Sequence, residues 1–446
     1  MSAGYFDDKL REECGVFGIY APGLDVARAA FFGLQALQHR GQESAGIAVA
    51  DNGEIRLRKR LGLVAQVFDE SDLRHLRGDM AVGHNRYSTT GSTSRENAGP
   101  MAADSDIGTI VVAHNGNIVN AAGLRSELER EGQRLSTSTD TEVIAHVIAT
   151  AEGSTLVDKL QVALKRCIGA YSLVVLSPDE LVGVRDPQGI RPLCLGSIDG
   201  GRVLASESCA LATVGADFER EIEPGEILSI GPGDIRQDWL HPAPKVANCL
   251  FEFIYFARPD SSLLGERLHL ARQRMGEALA REHPVEADVV VPLPDSATPA
   301  AIGYARESGI PYSEGLIKNR YVGRTFIQPD QRLREIGVSL KFNALPEVVK
   351  GKRVVLVDDS IVRGTTSRPI VDLLRNAGAT EVHMRVHSPP IKHPCHLGVD
   401  MASREELIAG DKSVEEIREA IGADTLGYLS LEGLYESTNH PAGKFC

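Results

Sequence analysis

No stretch constrains this chain more than Val354-Val355-Leu356-Val357-Asp358-Asp359-Ser360-Ile361-Val362-Arg363-Gly364-Thr365-Thr366. It reads as a buried strand that ends on two acids, followed by a turn with Gly and hydroxyls and then by a helix. Backbone N–H groups at Gly364 to Thr366 would point out of the helix N-terminus, where the partial positive charge favours an anion, and the threonine hydroxyls add donors. A phosphate fits that place, at the carboxyl end of a strand. The adjacent acids would repel a phosphate unless they face ribose hydroxyls or a Mg²⁺ ion; the plain alternative is that they cap the turn. Around this run, residues 287–293, 353–357 and 381–386 read as strands and residues 298–307 and 369–377 as helices. That alternation marks βαβ units and a parallel sheet. A polar stretch rich in Arg, Gln and Gly over residues 324–348 is too long for an ordinary connection and reads as a lid.

A length of 446 residues favours two or three domains. The pattern changes near Pro242, where Pro-Ala-Pro precedes a new apolar run over 249–256, so the expected units are 14–245 and 246–446. In the first, residues 15–20, 45–50, 80–84, 108–114 and 171–176 read as strands, and residues 27–38, 141–149 and 156–167 as helices, giving sheets covered by helices. The balance of 48 basic against 61 acidic residues, net charge -13, argues against a nucleic-acid or anionic-membrane surface. Seven thinly spread cysteines suit a reducing cytoplasm rather than a disulfide-stapled secreted domain. Residues 1–13 lack the basic start and apolar core of a signal peptide, and no segment approaches the roughly 18 apolar residues of a membrane helix.

A second set of motifs occupies the first half: Glu13-Cys14-Gly15, Leu37-Gln38-His39-Arg40-Gly41-Gln42-Glu43-Ser44-Ala45-Gly46, His84-Asn85-Arg86-Tyr87-Ser88-Thr89-Thr90-Gly91, His114-Asn115-Gly116-Asn117 and Ser138-Thr139-Asp140-Thr141-Glu142. Taken alone, His-Asn-Gly-Asn would be a turn. Together the motifs resemble the glutaminase domain of the N-terminal-nucleophile (Ntn) amidotransferases, which implies an αββα sandwich. They imply Cys14 as the nucleophile, activated by its own α-amino group, so that residues 1–13 become a propeptide. Asn115 and Gly116 match the oxyanion-hole pair, and Arg86 and Asp140 the clamps for the α-carboxylate and α-ammonium of glutamine.

The Val354–Thr366 run resembles the 5-phosphoribosyl-1-pyrophosphate (PRPP) loop of type I phosphoribosyltransferases. The resemblance implies 5′-phosphate binding by Ser360, Arg363, Gly364, Thr365 and Thr366, and ribose or Mg²⁺ contacts from Asp358 and Asp359. In Pro292-Leu293-Pro294-Asp295-Ser296-Ala297-Thr298, Ser296 matches a pyrophosphate and metal contact, while Asp295 or Ser296 would otherwise be a helix N-cap. Lys318, Arg320, Arg324, Arg332 and Lys341 supply local positive charge.

A glutaminase followed by a phosphoribosyltransferase resembles the family of glutamine phosphoribosylpyrophosphate amidotransferases over essentially the whole chain. The implied activity takes glutamine and PRPP as substrates at the entry to purine synthesis, with purine nucleotides as feedback inhibitors and a homotetramer as the assembly. Cys249, Cys395 and Cys446 match iron–sulfur ligands of one branch, implying a [4Fe-4S] cluster whose fourth cysteine would follow Cys446 in a Cys-x-x-Cys. Cys167, Cys194 and Cys209 read as packing residues. Two rivals are a hexosamine or asparagine synthase, whose partner domains would not carry the Asp358 to Thr366 loop, and a PRPP-sensing regulator without turnover.

Overall fold

The computed structural model describes residues 14–87, 94–233, 235–243, 245–319, 341–399, 401 and 403–446. The expected propeptide, Arg320, Arg324, Arg332, most of the expected lid and Ser88 to Gly91 lie outside those residues.

Two antiparallel sheets fill the first half. One has seven strands in the order Asp217–Glu221, Cys194–Ile198, Gly201–Ala205, Gly15–Tyr20, Met80–Arg86, Ser44–Asp51 and Glu54–Leu61. The other has six, in the order Ile235–Trp239, Glu226–Ile230, Leu181–Arg185, Gly169–Leu176, Gly108–Ile118 and Met101–Ser105. Alternation along the strands divides each between two cores. Val16, Ala48 and Val82 meet Val111, Val174 and Leu228 between the sheets. Phe17, Ile47 and Ala81 turn the other way onto helix Val26–Ala36, and Val112, Leu173 and Val184 onto helices Asp140–Thr150 and Leu156–Ala163. The layers are helix, sheet, sheet, helix, the αββα sandwich expected. Gly18 lets the sheets approach, since a Cβ there would stand 2.5 Å from Val174 Cγ1.

The second half holds a parallel four-stranded sheet in the order Val289–Pro292, Arg353–Asp358, Glu381–Val386, Thr425–Tyr428. Val290, Val355 and Val357 pack onto helices Leu268–Glu282 and Thr298–Ser308, while Val291, Val354 and Leu356 pack onto Ser367–Asn376 and Val414–Ile421. Helices on both faces explain why these strands are continuously apolar.

Several elements differ from the sequence reading. The helix expected over 156–167 ends at Ala163, and tight turns carry Arg166 and Cys167. The strand expected over 108–114 runs on to Ile118, so His114-Asn115-Gly116-Asn117 finishes a strand instead of forming a turn. In the apolar run after Pro242, residues Glu252–Phe256 form a π-helix. The end of the expected lid is regular: Phe342–Ala344 pairs with Leu316–Lys318, and helix Pro346–Val349 follows. Among the described residues no helix is long and apolar enough to cross a membrane.

Candidate functional site

Cys14 immediately precedes the strand Gly15–Tyr20, whose first residue pairs with Asn85 on the neighbouring strand Met80–Arg86. The end of that neighbour therefore lies beside the thiol, and Cys14 Sγ donates to the Tyr87 carbonyl at 3.5 Å. Burial pushes the Cys14 thiol up to about 11; Arg86 pulls the other way, and Asp140 and Glu43 add to the rise. The same charges show that the fold brings Arg86 and Asp140 to Cys14 from separate elements. Arg86 Nη1 stands 3.8 Å from Glu43 Oε2. Asp140 opens helix Asp140–Thr150, whose N-cap Thr139 accepts from Glu142 N, and its Oδ2 accepts from Ile118 N at 3.1 Å.

The Asn115 side chain is fully buried, and among the described residues neither its Nδ2 nor its Oδ1 meets a hydrogen-bond partner. Gly116 has φ +145, and a Cβ there would sit 2.0 Å from the Ala170 carbonyl oxygen, so the position tolerates only glycine. Sequence reasoning missed two neighbours. Ser44 Oγ and Asn85 Oδ1 are likewise buried without partners among the described residues, although Asn85 Nδ2 donates to the Leu34 carbonyl at 2.7 Å; in the sheet Ser44 pairs with Arg86 and Ala45 with Asn85. Their signal was position: both lie inside motifs already singled out, one of them adjacent to Arg86.

In the second half, strand Arg353–Asp358 delivers its acids to the carboxyl edge of the sheet. Both are buried. Asp358 Oδ1 accepts from Asp359 N at 2.8 Å, and the Asp359 carboxylate accepts from Ser360 Oγ at 2.7 Å and from Ser296 Oγ. Neither acid caps a helix: the N-cap of Ser367–Asn376 is Thr366. Asp295 and Ser296 are not side-chain caps either, since Ala297 holds that place and Asp295 pairs with Lys318 at 3.0 Å. Helix capping by Asp295 or Ser296 is thus replaced by a link between the two loops, Ser296 to Asp359, while Asp358 accepts from the first N–H of the turn. Behind them lie Arg272 and His387. Burial draws the Arg272 guanidinium down to about 10 and His387 down to about 4, and Asp359 opposes both shifts. Arg363 pairs with Glu406 at 2.9 Å, Gly364 turns the chain at φ +73, and Thr365 is exposed at the helix N-terminus. Lys341 Nζ lies over the Phe342 ring.

Cys249, Cys395 and Cys446 come from distant segments. Cys446 N donates to the Asn248 carbonyl at 3.1 Å, and Cys395 Sγ accepts from Leu397 N at 3.3 Å. Burial pushes the Cys249 thiol up to about 12, and Cys446 and Cys395 each raise it further, so the thiols share a neighbourhood. Among the described residues, however, no group of three or more His, Cys, Asp or Glu is spaced to hold a metal ion.

Two sheets around a cysteine with an unpaired amide, joined to a parallel sheet with an acid-ended phosphate loop, define a class: an amidotransferase fused to a phosphoribosyltransferase. A glutamine amidotransferase domain model matches residues 84–213, and a phosphoribosyl transferase domain model matches residues 268–418. The chain is 52% identical to the amidophosphoribosyltransferase of Synechococcus elongatus over 98% of this chain and 90% of that one. It is also 52% identical to the Archaeoglobus fulgidus amidophosphoribosyltransferase over 97% and 95% of the two chains. The solved glutamine PRPP amidotransferase from B. subtilis, complexed with ADP and GMP, matches with a TM-score of 0.91 at 48% identity, covering 97% of this chain and 95% of that one. The chain belongs to the amidophosphoribosyltransferase family.

Proposed function

We propose that this chain converts glutamine, PRPP and water into 5-phosphoribosylamine, glutamate and pyrophosphate, the first committed step of purine synthesis, using a glutaminase unit over 14–245 and a phosphoribosyltransferase unit over 246–446. The observation that carries the residue assignment is the Asn115 amide, fully buried with no partner among the described residues. A buried donor left unpaired costs about 1–3 kcal/mol. A tetrahedral oxyanion formed by attack of Cys14 on the glutamine amide would satisfy Asn115 Nδ2, with the Gly116 N–H as second donor.

In this reading the propeptide 1–13 is removed, and the freed α-amino group takes the thiol proton. The sulfur adds to the amide carbon, the proton passes to the leaving ammonia, and water then hydrolyses the thioester to glutamate. Arg86 and Asp140 orient glutamine through its α-carboxylate and α-ammonium. Ammonia crosses to the ribose C1, where it displaces pyrophosphate. Ser360, Arg363, Gly364, Thr365 and Thr366 hold the 5′-phosphate, and Asp358 and Asp359 orient the ribose. Asp358, Asp359 and Ser296 are the residues that would hold Mg²⁺, which when bound offsets the charge of the pyrophosphate. PRPP binding is linked to glutaminase turnover, so that ammonia is released only when its acceptor is in place.

Cys249, Cys395 and Cys446 lie within electrostatic reach of one another but are not spaced to hold a metal in this structure; the match of all three to the ligand positions of the iron–sulfur, propeptide-bearing branch is what supports that branch. In that reading the three thiolates hold a structural [4Fe-4S] cluster, and visible absorption with matching iron and sulfide content in anaerobically purified protein tests it. The ADP and GMP held by the B. subtilis relative support purine nucleotides as inhibitors. A homotetramer working in the cytoplasm completes the reading.

The test separates the sites. Cys14→Ala should abolish glutamine-dependent phosphoribosylamine formation and leave the ammonia-dependent reaction intact. Loss of neither activity, or of both in a folded variant, would overturn the assignment.

A further inference from the structure

The strand that carries Asn115 and Gly116 ends against a loop from the other half of the chain. Asn117 Nδ2 donates to the His396 carbonyl at 2.8 Å. Arg191, fully buried in the first half, donates to the Leu397 carbonyl from Nε at 3.2 Å and from Nη2 at 2.6 Å. The next residue, Gly398, is buried at φ +113; a Cβ there would meet Arg191 Nη2 at 2.9 Å and the Gly116 carbonyl carbon at 3.2 Å. The loop is itself pinned where it begins, by the Leu397 N–H on Cys395 Sγ. Three hydrogen bonds, one to Asn117 and two to Arg191, therefore hold residues 396–398 beside the end of this strand, so close that the space a Gly398 side chain would need is taken by Arg191 and the Gly116 backbone.

We propose that residues 396–398 are a positioning element for glutamine hydrolysis: carried by the phosphoribosyltransferase half, they fix the orientation of the Gly116 peptide and with it the oxyanion donor. The inference rests on the reading of Asn115 and Gly116 as that donor pair. An oxyanion donor acts by fixed direction, so a small rotation of the Gly116 peptide weakens it in the transition state without changing how glutamine is gripped at Arg86 and Asp140. The residues it meets at this end of the strand, Asn117, Arg191 and Gly116, are not the glutamine clamps Arg86 and Asp140, so its effect belongs in kcat.

Gly398→Ala tests this in the full, processed chain. The added methyl meets Arg191 and the Gly116 backbone at a φ that an L side chain adopts only under strain. The expected result is a fall of about tenfold or more in kcat for glutamine hydrolysis, with the glutamine KM within about twofold. Ammonia-dependent phosphoribosylamine formation by the same preparation should stay within about twofold, which a general folding lesion would not allow. Asn117→Ala, which removes the bond to His396 without adding bulk, should move kcat the same way by a smaller factor. Unchanged glutamine kcat in both variants, a change in KM alone, or parallel loss of the glutamine and ammonia reactions would overturn the proposal. A wild type inactive with glutamine and with ammonia alike would instead overturn the functional reading beneath it.

Discussion

Asn115 and Cys14 are both held in states that stability alone does not favour. The amide is buried without a partner, and burial pushes the thiol up to about 11, so at neutral pH the sulfur is protonated and unreactive. Asn115→Ala should therefore lower kcat for glutamine by about 10²–10³ while leaving thermal stability unchanged or slightly higher, because the lost amide made no bond in the folded chain. A large drop in melting temperature with kcat retained would show a structural residue instead. The raised thiol pKa also fixes the sign of the pH dependence. If the α-amino group is the base, kcat/KM for glutamine rises as that amine loses its proton and levels off near its reference pKa of about 8. A profile still climbing toward pH 11 would mean that the thiol ionises unaided. Cys14, Asn115 and Gly116 stand out in the sequence as candidates because the proposed chemistry demands those residue types in those motifs. Ser44 and Asn85 do not, since the burial of Ser44 Oγ and Asn85 Oδ1 without a partner among the described residues arises only when strands Ser44–Asp51, Met80–Arg86 and Gly15–Tyr20 are laid side by side.

The connection from strand Arg353–Asp358 to helix Ser367–Asn376 was the most legible part of the fold, because covering both faces of a strand removes polar alternation from its sequence. The π-helix Glu252–Phe256 was not legible: a short apolar run has no period that separates strand from helix. Nor was the early end of the helix expected over 156–167, whose apolar spacing continues past the turns that stop it. Within the connection, Gly364 takes φ +73 with open space for a Cβ only as far as Ile408 Cδ1, 2.6 Å away. Gly364→Ala would cost about 1–2 kcal/mol in backbone strain and tilt the N–H groups away from a bound phosphate. Its PRPP KM should rise by about tenfold in steady-state assays, a loss of about 1.4 kcal/mol of binding. Glutamine hydrolysis measured without PRPP should be unaffected; equal damage to that activity would show that the change had spread beyond the turn.

Between the two halves lies a buried charge cluster that no motif announced. Arg40 and Glu252 are 212 residues apart, and both side chains are almost completely buried. Arg40 binds Glu252 through Nη2 and Glu207 through Nη1, and its Nε donates to the Cys14 carbonyl at 3.4 Å. Arg191 Nη1 approaches Glu252 at 4.0 Å, and Glu207 also accepts from Arg258 N at 2.9 Å. The sequence showed Arg40 inside a motif and Glu252 beside a candidate cluster cysteine, but pairing at that separation is a property of the assembled chain. A buried pair contributes little relative to an apolar replacement of both partners, whereas removing one partner strands the other's charge. The two ends of this cluster are not equivalent. Arg40→Met would leave two buried carboxylates without their shared guanidinium, Glu207 with His39 at 2.7 Å and Glu252 with Arg191 at 4.0 Å, while Glu252→Gln leaves Arg40 still paired to Glu207. Arg40→Met should therefore destabilise by about 3–5 kcal/mol in denaturant unfolding and Glu252→Gln by less. The double variant should recover part of the Arg40→Met loss, because one of the stranded carboxylates is gone. Simple addition of the two single effects would show that these charges are held independently.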